Sequence, residues 1–177
     1  MSAPTRSMSR QYFQSLEPQP FINVLTVDGT PTGDFLANGD YSSTAQDFSF
    51  TCPDHAYVEV NELRIIVSDG GTPSRTEYGS LSTSLAVGVR AFYQQFGEQE
   101  EDVTPALRPI QANQDFERIA TGLDLIKYSG TDSRAYSVPL NGSIKLNPFD
   151  LFAIRLNDDF TGLLDHQFVV IGSSRGL

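Results

Sequence analysis

Turn-forming residues interrupt this chain so often that beyond position 20 it has no room for long helices. Clusters of Gly, Pro, Asn and Asp recur at short intervals, and between them lie brief runs in which apolar and polar residues alternate. A period of two marks a half-buried β-strand, because successive side chains leave a strand on opposite faces. Residues 1–20 differ. They are polar and rich in Pro, Ser and Gln, and their large apolar residues besides Met1 are Met8, Tyr12, Phe13 and Leu16. The chain therefore reads as an extended N-terminal arm, residues 1–20, leading into a β-domain, residues 21–177.

Within that domain the strand signals fall at residues 21–27, 47–52 and 57–68. Others follow at 85–93, 123–128, 135–140, 143–146, 151–156 and 166–172. In the third of these, Val58 and Val60 share one parity while Leu63, Ile65 and Val67 share the other, so a bulge or bend is expected near Asn61-Glu62. Residues 113–122 read as one short helix capped at Asn113 and ended by Gly122. Gly97 to Asp102 reads as a solvated acidic loop. Eight or nine strands joined by loops of very unequal length point to an all-β fold, a single jelly-roll or Greek-key β-sandwich. Alternation predicts a core of Phe48, Phe50, Leu63, Ile65, Val67, Val87, Val89, Phe152, Ile154, Val169 and Ile171.

The charge balance narrows the partners. Twelve basic residues stand against 22 acidic ones. Clustered Lys and Arg for phosphate contacts are lacking, which argues against nucleic-acid binding. The arm holds Arg6, Arg10 and Glu17, a net +1, so the rest of the chain carries 10 basic and 21 acidic residues, a net −11. Tyr12, Phe13 and Leu16 form an apolar group at helix-like spacing. With Arg6 and Arg10 they are the candidate partner-binding residues, suited to an acidic neighbour that includes another copy of the chain. A single cysteine, Cys52, excludes an internal disulfide and suits assembly in a reducing cytoplasm. No apolar run is long enough for a transmembrane helix and the N-terminus has no hydrophobic signal region, so neither membrane insertion nor signal-directed secretion is expected.

Chemistry finds little purchase. His166 follows Asp165, but no nucleophile elbow accompanies the pair, and His55 sits in a Pro-Asp-His turn. Cys52 lies at a strand end, where a thiol behaves as a small apolar group. Asn157, Asp158 and Asp159 would need help from Asp40 or Asp69 to bind Ca²⁺, and they read better as turn formers. No catalytic residue, metal or cofactor is expected. Tyr41, Tyr78, Tyr93 and Tyr136 lie near loops, which keeps open a carbohydrate-binding β-sandwich that stacks sugars on exposed aromatics.

Several segments together resemble small structural proteins of tailed bacteriophages: the polar arm through Pro20, the turn from Asn38 to Ser42, the strand from Glu62 to Gly70 that ends in Asp-Gly, and the stretch from Leu156 to Leu163. The similarity is to head-decoration or cement proteins with a jelly-roll-like sandwich. It implies a non-enzymatic virion component, often a homotrimer, assembled in the host cytoplasm. Such a protein stabilises the lattice of the major capsid protein or contacts other virion proteins. A neck, tail or baseplate protein is the alternative within the same biology.

Overall fold

The computed structural model describes residues 17–128 and 131–176. Among the described residues nine strands and two short helices follow one another: β1 (Gln19–Val24), β2 (Gln46–Thr51), β3 (Ala56–Ser68), β4 (Arg90–Gln94), β5 (Glu100–Asp102), α1 (Thr104–Leu107), α2 (Asn113–Ile119), β6 (Gly122–Tyr128), β7 (Thr131–Leu146), β8 (Leu151–Leu156) and β9 (His166–Gly176). They build two antiparallel sheets, ordered β1-β9-β3-β7-β6 and β2-β8-β4-β5. With β6 set aside, the pairing is nested. The first strand pairs with the last, β2 with β8, β3 with β7, and β4 with its neighbour β5. An antiparallel ribbon folded on itself in this way and wrapped into two layers is a jelly roll. β6 is an extra strand, paired to β7 alone at the margin of the larger sheet.

Nesting divides the connections by position. The β2–β3, β4–β5 and β7–β8 turns gather at one end. The long β1–β2, β3–β4, β5–β6 and β8–β9 connections gather at the other.

The expected phase switch in β3 is present, with a register break between Val60 and Glu62 against both β7 and β9. The extra residue returns Val58 and Val60 to the same interior as Leu63, Ile65 and Val67, and all five are buried. At this bulge Gly172 of β9 lies opposite Val60. A methyl group there would run into the Glu59 backbone carbonyl. The runs predicted at 135–140 and 143–146 form one strand, β7, which passes through an irregular Asn141-Gly142 with Gly142 in the left-handed region.

Three expectations about the strands and core are corrected. Val87 is 40% exposed. Residues 85–88 do not join β4, because the N–H groups of Ala86, Val87 and Gly88 turn toward the Asp158 carboxylate. In β9 the interior parity belongs to Phe168 and Val170, both fully buried; Val169 and Ile171 take the other face beside Val24 and Ile22 of β1, where Val169 is still buried, at 8% exposure, and Ile171 half-buried. The acidic segment is not all loop. Glu100–Asp102 is an edge strand, held by Arg155, whose guanidinium grips Asp47 and Glu100 at 2.7–2.9 Å, and by Arg90 on Asp102.

Gly172→Ala should destabilise the fold by about 1–3 kcal/mol as an overpacking change. Leu63→Ala, on the same sheet, should cost about 2–5 kcal/mol through the cavity it leaves. Urea unfolding measures both; a Gly172→Ala protein with an unchanged midpoint would contradict the close approach at the bulge.

Candidate interaction surface

The long-loop end is held shut by polar groups that the interior cannot leave unpaired. His166, fully buried at the start of β9, lies 2.7 Å from the Ala37 carbonyl through Nδ1 and 2.8 Å from the Tyr78 hydroxyl through Nε2. A carbonyl only accepts, so Nδ1 carries the proton and Nε2 accepts from the Tyr78 O–H. Burial pushes the His166 pKa down to about 4, so the ring is neutral near pH 7. Around it the Phe160, Phe168 and Tyr78 rings pack at centroid distances of 4.8–5.5 Å. Asp165 does not orient the imidazole; its carboxylate accepts from Gln167 instead. The Asp165–His166 pair noted in the sequence is therefore not assembled as a catalytic dyad.

Three other buried carboxyl or amide side chains organise loops through backbone contacts. Asp158 accepts from three consecutive N–H groups, those of Ala86, Val87 and Gly88, at 2.7–3.2 Å. Asp115 accepts from the Gln111 and Ala112 N–H groups just ahead of α2. Asn113 is the first helical residue rather than the expected cap. Its side chain reaches across to the β3–β4 connection, accepting from Gly79 N–H and donating to the Ser74 and Gly79 carbonyls. These contacts fix α2 against the margin of the larger sheet.

Between α2 and that margin lies an open groove of about 330 Å³. Its floor is Phe116 stacked flat on Tyr136, with centroids 4.1 Å apart. Leu123 of β6 forms one wall, and its rim carries Arg75 ion-paired to Glu117 and Arg134 paired to the buried Asp69. The apolar exposure at this wall has a structural cause. Leu123 pairs with Tyr136, and Leu125 with Arg134, so both leucines point to the inner side of the sheet. The larger sheet has five strands and the smaller four, so β6 overhangs. Leu123 is 48% exposed and Leu125 is 70% exposed.

At the short-loop end a second apolar feature stands on a rigid base. Buried Asp150 accepts from the Phe96 and Asn147 N–H groups, the Tyr93 hydroxyl and the Asn147 amide. Burial alone would raise its pKa, but these donors outweigh it and hold the carboxyl below its usual value. Phe96 and Phe149 project from this base as an exposed ring pair 5.3 Å apart, and Phe149 is held at φ 68°.

The remaining candidates resolve plainly. Arg6, Arg10, Tyr12, Phe13 and Leu16 lie outside the described residues. The arm boundary expected at 20 gives way to a strand that starts at Gln19, with Gln19 and Pro20 paired to Ser174 and Ser173. Tyr78 and Tyr136 are buried, while Tyr41 and Tyr93 are only partly accessible. Sugar stacking on these tyrosines is therefore not supported; the exposed aromatics among the described residues include Phe35, Tyr57, Phe96 and Phe149, of which Phe96 and Phe149 form a ring pair. Cys52 is buried in the core, its thiol pushed up to about 11 chiefly by burial. His55 forms an exposed pair with Asp54. Asp158 is occupied by backbone donors and Asp69 by Arg134, and among the described residues no group of His, Cys, Asp and Glu is placed to hold a metal ion. No described helix is long and apolar enough to cross a membrane. Compared with family profiles, curated proteins and solved structures, the chain matches none.

His166 makes the fold acid-sensitive with a definite sign. Its folded pKa lies below the unfolded value near 6.5, so the unfolded chain binds more protons between those values. Stability is full above about pH 6.5 and falls as pH drops toward 4, by on the order of 3 kcal/mol if the whole shift is expressed. Melting temperatures measured from pH 7 to pH 4 should show this decline, and His166→Gln, although less stable at pH 7, should flatten it.

Proposed function

We propose that this protein is a non-enzymatic structural component of a virus particle, a capsid decoration or cement protein that braces the lattice of the major capsid protein. The observation that carries the reading is the nested jelly-roll pairing. Jelly rolls serve as viral capsid and lectin domains and as cupins, and the fold by itself does not choose among them. The choice rests on the arm. A cationic, partly apolar segment leads directly into an edge strand of an acidic sandwich, an arrangement suited to reaching a neighbouring subunit. The resemblance noted in the sequence points the same way. Attachment is through the arm, with Tyr12, Phe13 and Leu16 as anchors and Arg6 and Arg10 as steering charges.

A neck, tail or baseplate location is the alternative within the same biology, and copy number separates the two. A carbohydrate-binding module is favoured by one feature alone, the exposed Phe96–Phe149 pair. Loss of glycan-array binding on Phe149→Ala would support it.

Purified particles should contain the chain in hundreds of copies if it decorates a capsid, and in six or twelve if it belongs to a neck or tail. Deleting residues 1–18 should leave the melting temperature close to that of the full chain while weakening co-sedimentation with particles. Equal binding by the truncated and full chains would remove the arm from the attachment.

A further inference from the structure

We infer that the groove between α2 and the overhanging strand β6 is the seat for the N-terminal arm of a second copy of this chain. The inference rests on the reading of the arm as an attachment segment and names the surface that receives it. The groove supplies an apolar floor, Phe116 on Tyr136, and beside it two leucines, Leu123 and Leu125, that the smaller sheet is too narrow to cover. The arm supplies a matching stripe. Met8, Tyr12, Phe13 and Leu16 fall at positions i, i+4, i+5 and i+8, one face of a helical turn pattern. A segment of that pattern laid in an apolar groove is a standard mode of peptide capture. Charge contributes little: Glu117 in the lining is paired to Arg75 and Arg134 to Asp69, so the seat is chiefly apolar.

The length of the arm excludes its own groove. Leu123 is level with Leu25 across the sheet, through Tyr136, Ile65 and Phe168. The arm enters at Gln19, six residues before Leu25, on the opposite edge and four strand steps away. Four steps of about 4.8 Å and six residues of about 3.3 Å separate Gln19 from the groove by roughly 28 Å. Leu16 precedes Gln19 by three residues and lies within about 11 Å of it, and Met8, eight residues further along a helix of about 1.5 Å rise, lies within about 23 Å. The stripe therefore cannot reach the groove of its own chain. It reaches that of a neighbour, in a head-to-tail contact that generates a ring or an open row according to the angle between copies.

The full-length protein tests this directly. Light scattering should show a mass that rises above the 19.5 kDa of one chain with increasing concentration. Leu123→Glu with Leu125→Glu, two exposed positions, should weaken association at least about tenfold without lowering the melting temperature. Tyr12→Ser with Leu16→Ser should do the same, and mixing the two variants should restore pairing, because one retains the groove and the other the arm. A Leu16→Cys chain mixed with a Leu123→Cys chain should form an oxidative cross-link. A mixture of Leu16→Cys with Phe96→Cys, at the far end of the sandwich, should not. A wild-type mass that stays at one chain up to the solubility limit would overturn the inference, as would a groove variant that associates as tightly as wild type. Both readouts use purified protein alone, so they are independent of whether the chain co-sediments with particles. Loss of co-sedimentation with intact self-association would fault the proposed function and leave the groove assignment standing.

Discussion

The hydrogen bond from the Tyr78 hydroxyl to His166 closes the end of the sandwich where four long connections converge. Its partner contact to the Ala37 carbonyl, together with the return bond from Ala37 N–H to the His166 carbonyl, ties the β1–β2 connection to β9. Through Tyr78 the same ring reaches the β3–β4 connection, and through Phe160 the β8–β9 connection. Tyr78 in turn packs at a tilt against Phe116, which stacks on Tyr136, so the floor of the groove is the outer end of an aromatic column that begins at the histidine. Protonating that ring would remove the acceptor that Tyr78 needs and leave a charge in an apolar interior.

Much of the acidic excess is consumed in making irregular backbone tolerable. A buried loop must find partners for its N–H groups, and here carboxylates supply them: Asp158 for residues 86–88, Asp115 ahead of α2 and Asp150 beneath the Phe96–Phe149 pair. Other acids are neutralised by Arg155, Arg90 and Arg134 across the sheets. Net charge read from composition therefore overstates how much negative surface a partner meets.

The strands and the bulge in β3 were legible because alternation reports directly on which face is buried. β8 matches its predicted range, and the parity switch at Asn61 is visible in five apolar residues. The β9 parity was not legible, because both of its faces are apolar and the buried one begins with a histidine, which local pattern assigns to solvent. Residues 85–88 looked like strand since the carboxylate that captures their N–H groups lies about seventy residues away in sequence. The groove was hidden for a similar reason. Leu123 and Leu125 read as ordinary core positions until the sheets are counted, and only the unequal widths of five and four strands leave them uncovered. Phe96 and Phe149 became a pair only through Asp150, which no spacing connects to both.

Nested pairing also governs when this protein exists as a folded object during synthesis. β9 lies between β1 and β3, so the last of the described strands occupies a central place in the larger sheet. Until it emerges, β1 has no partner strand, and His166, Phe168 and Val170 are missing from the interior. Sequence-distant pairing of this kind is slow to form, since loop closure must precede any gain from contact. The nascent chain thus carries its first strand unpaired until β9 has been made. A ribosome stalled before His166 is added would hold a chain with an open slot in the middle of its sheet, a shape that invites strands from other chains.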